Sequence, residues 1–137
     1  MFVQDFIRID EPLARVVGAF EHGVLPRFDA LVRDAWQPVA PGVHDVTVPI
    51  AIGARRDRSD AVAYSISWPS GQREFPAFDA DIEFAAISPN ETHVEFAGQS
   101  RFPFIEPWSA EDRRSHRQSM TAVGDLLRSI AQAIQAG

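Results

Sequence analysis

The sequence predicts an α+β domain made of one strand, two short helices, an antiparallel meander and one long C-terminal helix. Three observations carry this. Apolar residues recur with a helical period between residues 10 and 40, then with a period of two from residue 43, then with a helical period again from 109 to 135. A helix over 109–135 would run about 40 Å at ~1.5 Å per residue. A domain of this size has a radius of gyration near ~14 Å. Such a helix spans the whole molecule, and its apolar stripe needs a sheet face to cover it.

Residues 1–9 read as a strand with Phe2, Gln4, Phe6 and Arg8 on one face and Val3, Ile7 and Ile9 on the other. Asp10 offers an N-cap before Glu11 and Pro12. Leu13, Val16, Val17 and Phe20 then form an apolar stripe. His22-Gly23 breaks this first helix, and Pro26 opens a second with Phe28, Leu31, Val32 and Ala35. Val46, Val48, Ile50 and Ile52 alternate along the next strand, which Pro49 confines to an edge or a bulge. Residues 55–60 read as a solvated turn. Val62, Tyr64, Ile66 and Trp68 alternate with small residues, and Phe78, Ala80, Ile82 and Phe84 alternate with Asp79, Asp81 and Glu83. Val94 and Phe96 lie opposite His93, Glu95, Gln99 and Arg101. Ser109 caps the final helix, whose stripe runs His116, Met120, Val123, Leu127, Ile130 and Ile134.

Composition narrows the chemistry. The 137 residues fit a single domain, 1–137, and a chain of this length buries roughly 68% of its unfolded surface. There is no cysteine, which removes disulfides, thiolate metal sites and a cysteine nucleophile. All 13 basic residues are arginine, which removes lysine Schiff-base chemistry and a phosphate-loop lysine. A net charge of −6 argues against nucleic acid and anionic membranes as partners. No run approaches the ~18 apolar residues of a membrane span. The first residues lack a basic region followed by an apolar run, so a cytoplasmic protein is expected.

This order of elements, together with Phe75-Pro76-Ala77-Phe78-Asp79-Ala80 before a strand and His116 opening the last stripe, resembles the START / Bet v 1-like superfamily. That group includes polyketide cyclases and lipid-transfer domains. The resemblance implies a helix-grip fold, in which an antiparallel sheet wraps the C-terminal helix around a hydrophobic cavity. It carries over no catalytic residue. Ile52-Gly53-Ala54-Arg55 holds one glycine where plant members have a glycine-rich loop, and the meander offers four strands where many relatives have six.

The favoured function is binding of a small hydrophobic molecule (a lipid, sterol or polyketide-like compound) between sheet and C-terminal helix. The expected lining is Tyr64, Ile66, Trp68, Phe78, Ile82, Phe84, Phe96, His116, Met120 and Val123. The alternatives are a cyclase or dehydratase using His116 or Tyr64 as acid–base group, and a protein-interaction module or homodimer contact built on the apolar loop 102–108. His116 is either a hydrogen-bonded core histidine or a polar group at the cavity mouth. His22 reads as a helix-terminal cap; His44 precedes a strand, and His93 faces water. Asp79, Asp81, Glu83 and Glu95 fall on the wet sheet face. No metal spacing, nucleophile elbow or nucleotide loop is present, so neither metal nor cofactor is expected.

Overall fold

Alternation in the first segment is realised as strand β1 (Phe2–Ile9), with Val3 and Ile9 buried and Phe2, Gln4, Phe6 and Arg8 facing solvent. The structure is a computed structural model describing residues 1–40, 49–70 and 75–136. The expected strand residues Val46 and Val48, and His44 before them, lie outside the described residues.

Helix α1 (Leu13–Ala19) begins at Pro12, with no side chain capping it. Asp10, expected there, pairs with Arg8 at 3.4 Å instead. The chain does not break at His22-Gly23. It widens into one π-helical turn, Phe20–Val24, tightens through a 3-10 turn, Leu25–Arg27, and continues as α2 (Phe28–Trp36). Pro26 explains the detour, since its ring would strike the carbonyl of residue 22 in an uninterrupted α-helix and it has no N–H to donate. A wide turn followed by a tight one absorbs the proline without ending the helical run.

The remaining strands are β2 (Ala51–Ile52), β3 (Arg56–Asp57), β4 (Ala61–Trp68), β5 (Ala77–Ser88) and β6 (Glu91–Arg101). They form one antiparallel sheet in the order β1-β6-β5-β4-β2, with β3 also paired to β4. The residues read as a turn at 55–60 therefore include a short strand, Arg56–Asp57, and the turn is confined to where Arg58 N–H donates to the Ala61 carbonyl at 2.8 Å. Both residues of β3 are exposed, so no apolar alternation announces it. Ala51–Ile52 sits at the sheet edge that Pro49 requires.

Register aligns the apolar positions of neighbouring strands: Trp68 opposite Phe78, Tyr64 opposite Ile82, Ile82 opposite Phe96 and Phe84 opposite Val94. Gly98 belongs to this register by necessity. A Cβ there would lie 2.3 Å from the Asp79 carbonyl oxygen and 2.5 Å from Cα and Cβ of Ala80. Only glycine lets β6 approach β5 so closely.

Helix α3 (Ala110–Ala136) starts as its sequence asks. Ser109 Oγ accepts the Asp112 N–H at 3.0 Å, and the Asp112 carboxylate accepts the Trp108 N–H at 3.0 Å. Its buried face includes Val123, Leu127, Ile130 and Ile134. Upstream, steps of four from Val123 bury Ser119 and Ser115 and leave Met120 and His116 half-buried beside them. Polarity misleads at these positions, because two serines occupy the sheet-facing phase and the larger side chains flank it.

α3 packs against β1 and β6, whereas α1 and the π turn pack toward the β4–β5 half, and α2 joins the two by packing on α3. The sheet thus grips α3 on one half while the first helical run closes the other. Burying a large apolar side chain in such a core contributes about 1.5–3 kcal/mol. Among the described residues no helix is long and apolar enough to cross a membrane.

Candidate functional site

The inner sheet face carries aromatic residues at both ends. At one end the Trp36 ring lies edge-on to Trp68, Phe75 and Phe78, with centroids 5.7, 5.9 and 5.5 Å away. Trp68 Nε1 donates to the Pro76 carbonyl at 3.1 Å. Trp36 Nε1 has no hydrogen-bond partner among the described residues, and neither have Gln37 Oε1, His116 Nδ1 and Ser119 Oγ, all four atoms being buried. Phe78 lies opposite Ser100, near the end of β6, and from there the chain runs through residues 102–108 into α3.

A cavity of about 720 Å³ opens at this end. Ala77 and Ser100 form part of its floor, Pro69 and Ser70 one side, and Phe102, Pro103, Ile105, Pro107 and Trp108 its cover, with Asp112 at the start of α3. Prolines stiffen the cover. Ile105 is buried and pins it, and its N–H donates to the Phe102 carbonyl at 3.1 Å. Phe104 and Trp108 instead project into solvent, 62% and 80% exposed. Trp108 has φ 63°, in the left-handed region that a bulky residue rarely adopts. Two bonds hold it there: its N–H goes to Asp112, and its carbonyl accepts from Arg113 at 3.0 Å.

Farther along the sheet, the Tyr64 hydroxyl donates to Glu21 Oε2 at 2.5 Å. The other Glu21 oxygen accepts from Arg55 at 3.2 Å, and Arg55 also pairs with Asp57 at 2.6 Å. Tyr64 is only 3% exposed. Burial pushes its pKa above the ordinary tyrosine value, and the bond to Glu21 raises it further. The bond to Asp57 likewise raises Arg55. Tyr64 is therefore a neutral donor fixed on a carboxylate. Glu21 belongs to the π turn, so the cluster ties that turn to β4. A hollow of about 410 Å³ beside it is lined by Leu13, Val17, Arg58 and Val62 among others.

Of the residues named from sequence, Tyr64, Ile66, Trp68, Phe78, Ile82, Phe84, Phe96 and Val123 are buried in the core, and His116 and Met120 are half-buried on α3. None of these is among the residues lining the 720 Å³ cavity. The loop 102–108, named from sequence as an apolar contact surface, supplies Phe102, Pro103, Ile105, Pro107 and Trp108 to its lining. Sequence reasoning missed Ser100 and Ala77, Glu21 and Arg55, and Ser119. One signal was available: a tyrosine on an apolar face needs a partner for its hydroxyl.

The other candidates have found partners. His22 Nδ1 donates to the Gly18 carbonyl at 2.7 Å, and the His93 ring meets Phe6 edge-on at 4.7 Å on the outer face. Asp79 pairs with Arg101, and Asp81 with Arg56. Among the described residues no three His, Asp or Glu side chains converge as a metal site would require.

No protein-family model matches the chain, and no curated protein matches it. Solved structures do. Protein XoxI from Bacillus cereus is similar at TM-score 0.59 and 15% identity, over 98% of this chain and 95% of that one. A conserved protein from Geobacillus kaustophilus is similar at 0.58 and 9%, over 99% and 96%. Ara h 8.0201, a Bet v 1 allergen, is similar at 0.55 and 12%, over 100% and 99%. Likeness over both whole chains at such low identity concerns the backbone, and it agrees with the strand order and long final helix described above. The chain has the START/Bet v 1-like helix-grip fold.

Proposed function

We propose that this protein binds a small, mainly apolar molecule of the lipid, sterol or polyketide-like kind in the cavity at the N-terminal end of α3. The observation that carries this reading is the cavity itself: about 720 Å³, largely apolar, with a rigid sheet as floor and a proline-stiffened cover. Ligand sites are concave, mostly apolar, furnished with a few polar groups and typically ~300–1,000 Å³ in volume. In this reading Trp68, Phe78 and His116 form the inner wall behind the cavity. Tyr64, Ile66, Ile82, Phe84, Phe96, Met120 and Val123 support that wall from the core.

Titration of the protein with oleic acid, cholesterol and an anthraquinone, followed by tryptophan fluorescence, tests the reading. A saturable response is expected from at least one of these classes. It should weaken in Ile105→Arg, which puts a charge under the cover, and Trp68→Phe and Trp108→Phe assign the signal. Ligand extracted afterwards is expected chemically unchanged. Absence of a saturable response from all three classes would overturn the proposal.

A further inference from the structure

Resting on the reading of the cavity as a ligand site, we propose that its ligand is an elongated apolar molecule with a carboxylate head, and that Arg101 receives this head where the cavity passes into the hollow beside it. The apolar body then lies under the 102–108 cover.

Two hollows meet at Arg101. The 720 Å³ cavity and a second hollow of about 280 Å³ are both lined by Pro69, Ala77 and Arg101. Ala77 and Arg101 stand opposite one another at the end of the β5–β6 ladder. From there the second hollow crosses Asp79 of β5, Ser67 of β4 and Ala51 of β2, which lie in one row of the sheet register. Three strands at ~4.8 Å spacing give it length rather than depth. A molecule too long for the cavity has a way out along this row, and the way out passes Arg101.

Charge selects the head group. Among the described residues Arg101 is the one cationic side chain in the lining of either hollow. A guanidinium carries five N–H donors. Arg101 has one partner among the described residues, the Asp79 carboxylate at 3.5 Å, the outer limit of a hydrogen bond. Both side chains of that pair are about two-thirds exposed, so the pair contributes little and leaves donors to spare. The other polar groups of the cavity are engaged. Ser70 Oγ donates to the Phe75 carbonyl at 2.9 Å, and Ser100 Oγ to the Met1 carbonyl at 3.3 Å. The Asp112 carboxylate accepts the Trp108 N–H, in the first turn of α3 where the helix dipole favours it. An alcohol gains a single hydrogen bond at Arg101, whereas a carboxylate gains a bidentate, charge-assisted pair. An ammonium head leaving the cavity meets Arg101 first, because Arg101 lines the cavity and Asp79 does not.

Calorimetric titration of the full chain with decanoate, 1-decanol and decylamine at neutral pH holds the apolar body constant and varies the head. Decanoate should bind about fivefold more tightly than 1-decanol, and this margin should shrink at high salt. Decylamine should bind no tighter than 1-decanol. Arg101→Gln should abolish the margin and leave 1-decanol unchanged, whereas loss of a merely structural arginine would weaken both ligands alike. Asp79→Asn frees the guanidinium and should tighten decanoate by about twofold. Both substitutions are at exposed positions, so the variants should melt close to the wild type. Equal binding of decanoate and 1-decanol, or a margin that survives Arg101→Gln, would overturn the assignment of the head and leave the cavity reading intact. Tightest binding by decylamine would overturn it in favour of a cationic head. No binding by any of the three would overturn it together with the cavity reading.

Discussion

Tyr64 and Trp36 both carry a polar atom into an aromatic cage, and the chain treats them oppositely. Tyr64 sits beside Phe20 and Phe84 at 5.4 and 6.4 Å, much as Trp36 sits among Trp68, Phe75 and Phe78. The hydroxyl of Tyr64 is answered by Glu21, Glu21 by Arg55 and Arg55 by Asp57, out to the surface. The indole N–H of Trp36 is answered by nothing among the described residues. Packing is alike at the two ends; hydrogen-bond bookkeeping is not. A fully satisfied network stabilises and specifies a structure, so the Tyr64 end reads as a staple. The Trp36 end carries no such network among the described residues.

The largest expected effect tests whether one core supports both ends. Leu127 is almost fully buried on α3, and Leu127→Ala should cost about 2–5 kcal/mol in chemical denaturation. A loss as small as that of a surface substitution would mean that the sheet does not hold α3, and the comparison would lose its frame. Next, Tyr64→Phe breaks the closed end alone and should cost about 1–2 kcal/mol. That is below the value for a fully buried bond to a charge, because Glu21 is about one-third exposed.

The same residue sets an alkaline limit. The folded pKa of Tyr64 lies above the unfolded value of about 10, so its contribution is complete below pH ~10 and is lost as pH rises through the folded value. Wild-type stability should therefore fall more steeply above pH ~10 than that of Tyr64→Phe. Tyr64 is the chain's one tyrosine, so phenolate absorbance reports it alone. A phenolate titrating at the ordinary value would contradict the staple.

The smaller effects concern the open end. Ser109→Ala removes the α3 cap and should cost about 1 kcal/mol in thermal denaturation. Trp108→Gly relieves the left-handed backbone at a residue that packs on little, and should stabilise by roughly 0.5–1 kcal/mol. Destabilisation by Trp108→Gly would mean that the exposed indole contributes more to the cover than its backbone costs.

Much of the fold was legible because patterning is a single-chain property. The period of two in β4 and β5 and the stripe from Val123 to Ile134 follow directly from burial on one face. Two features were not legible, for different reasons. β3 exists because β4 has an unpaired edge, a property of the partner strand rather than of Arg56 and Asp57 themselves. Ser115 and Ser119 are buried because helical phase, propagated from Val123, overrides their polarity. The candidate site suffered most from this. Hydropathy assigned the inward positions at the start of α3 to His116 and Met120, and the two buried serines beside them were passed over. Glu21 escaped because Pro26 turns an apparent helix break into a π turn that carries the carboxylate to Tyr64.

The left-handed Trp108 ties two events in time. Its backbone is held by Asp112 and Arg113, which are in place only once the first turn of α3 has wound. Unwinding that turn releases both bonds, and the strained residue then relaxes to an ordinary conformation. Release of the Trp108 backbone and unwinding of the first turn of α3 are therefore coupled, and the amide protons of residues 112 and 113 should exchange with solvent at a common rate.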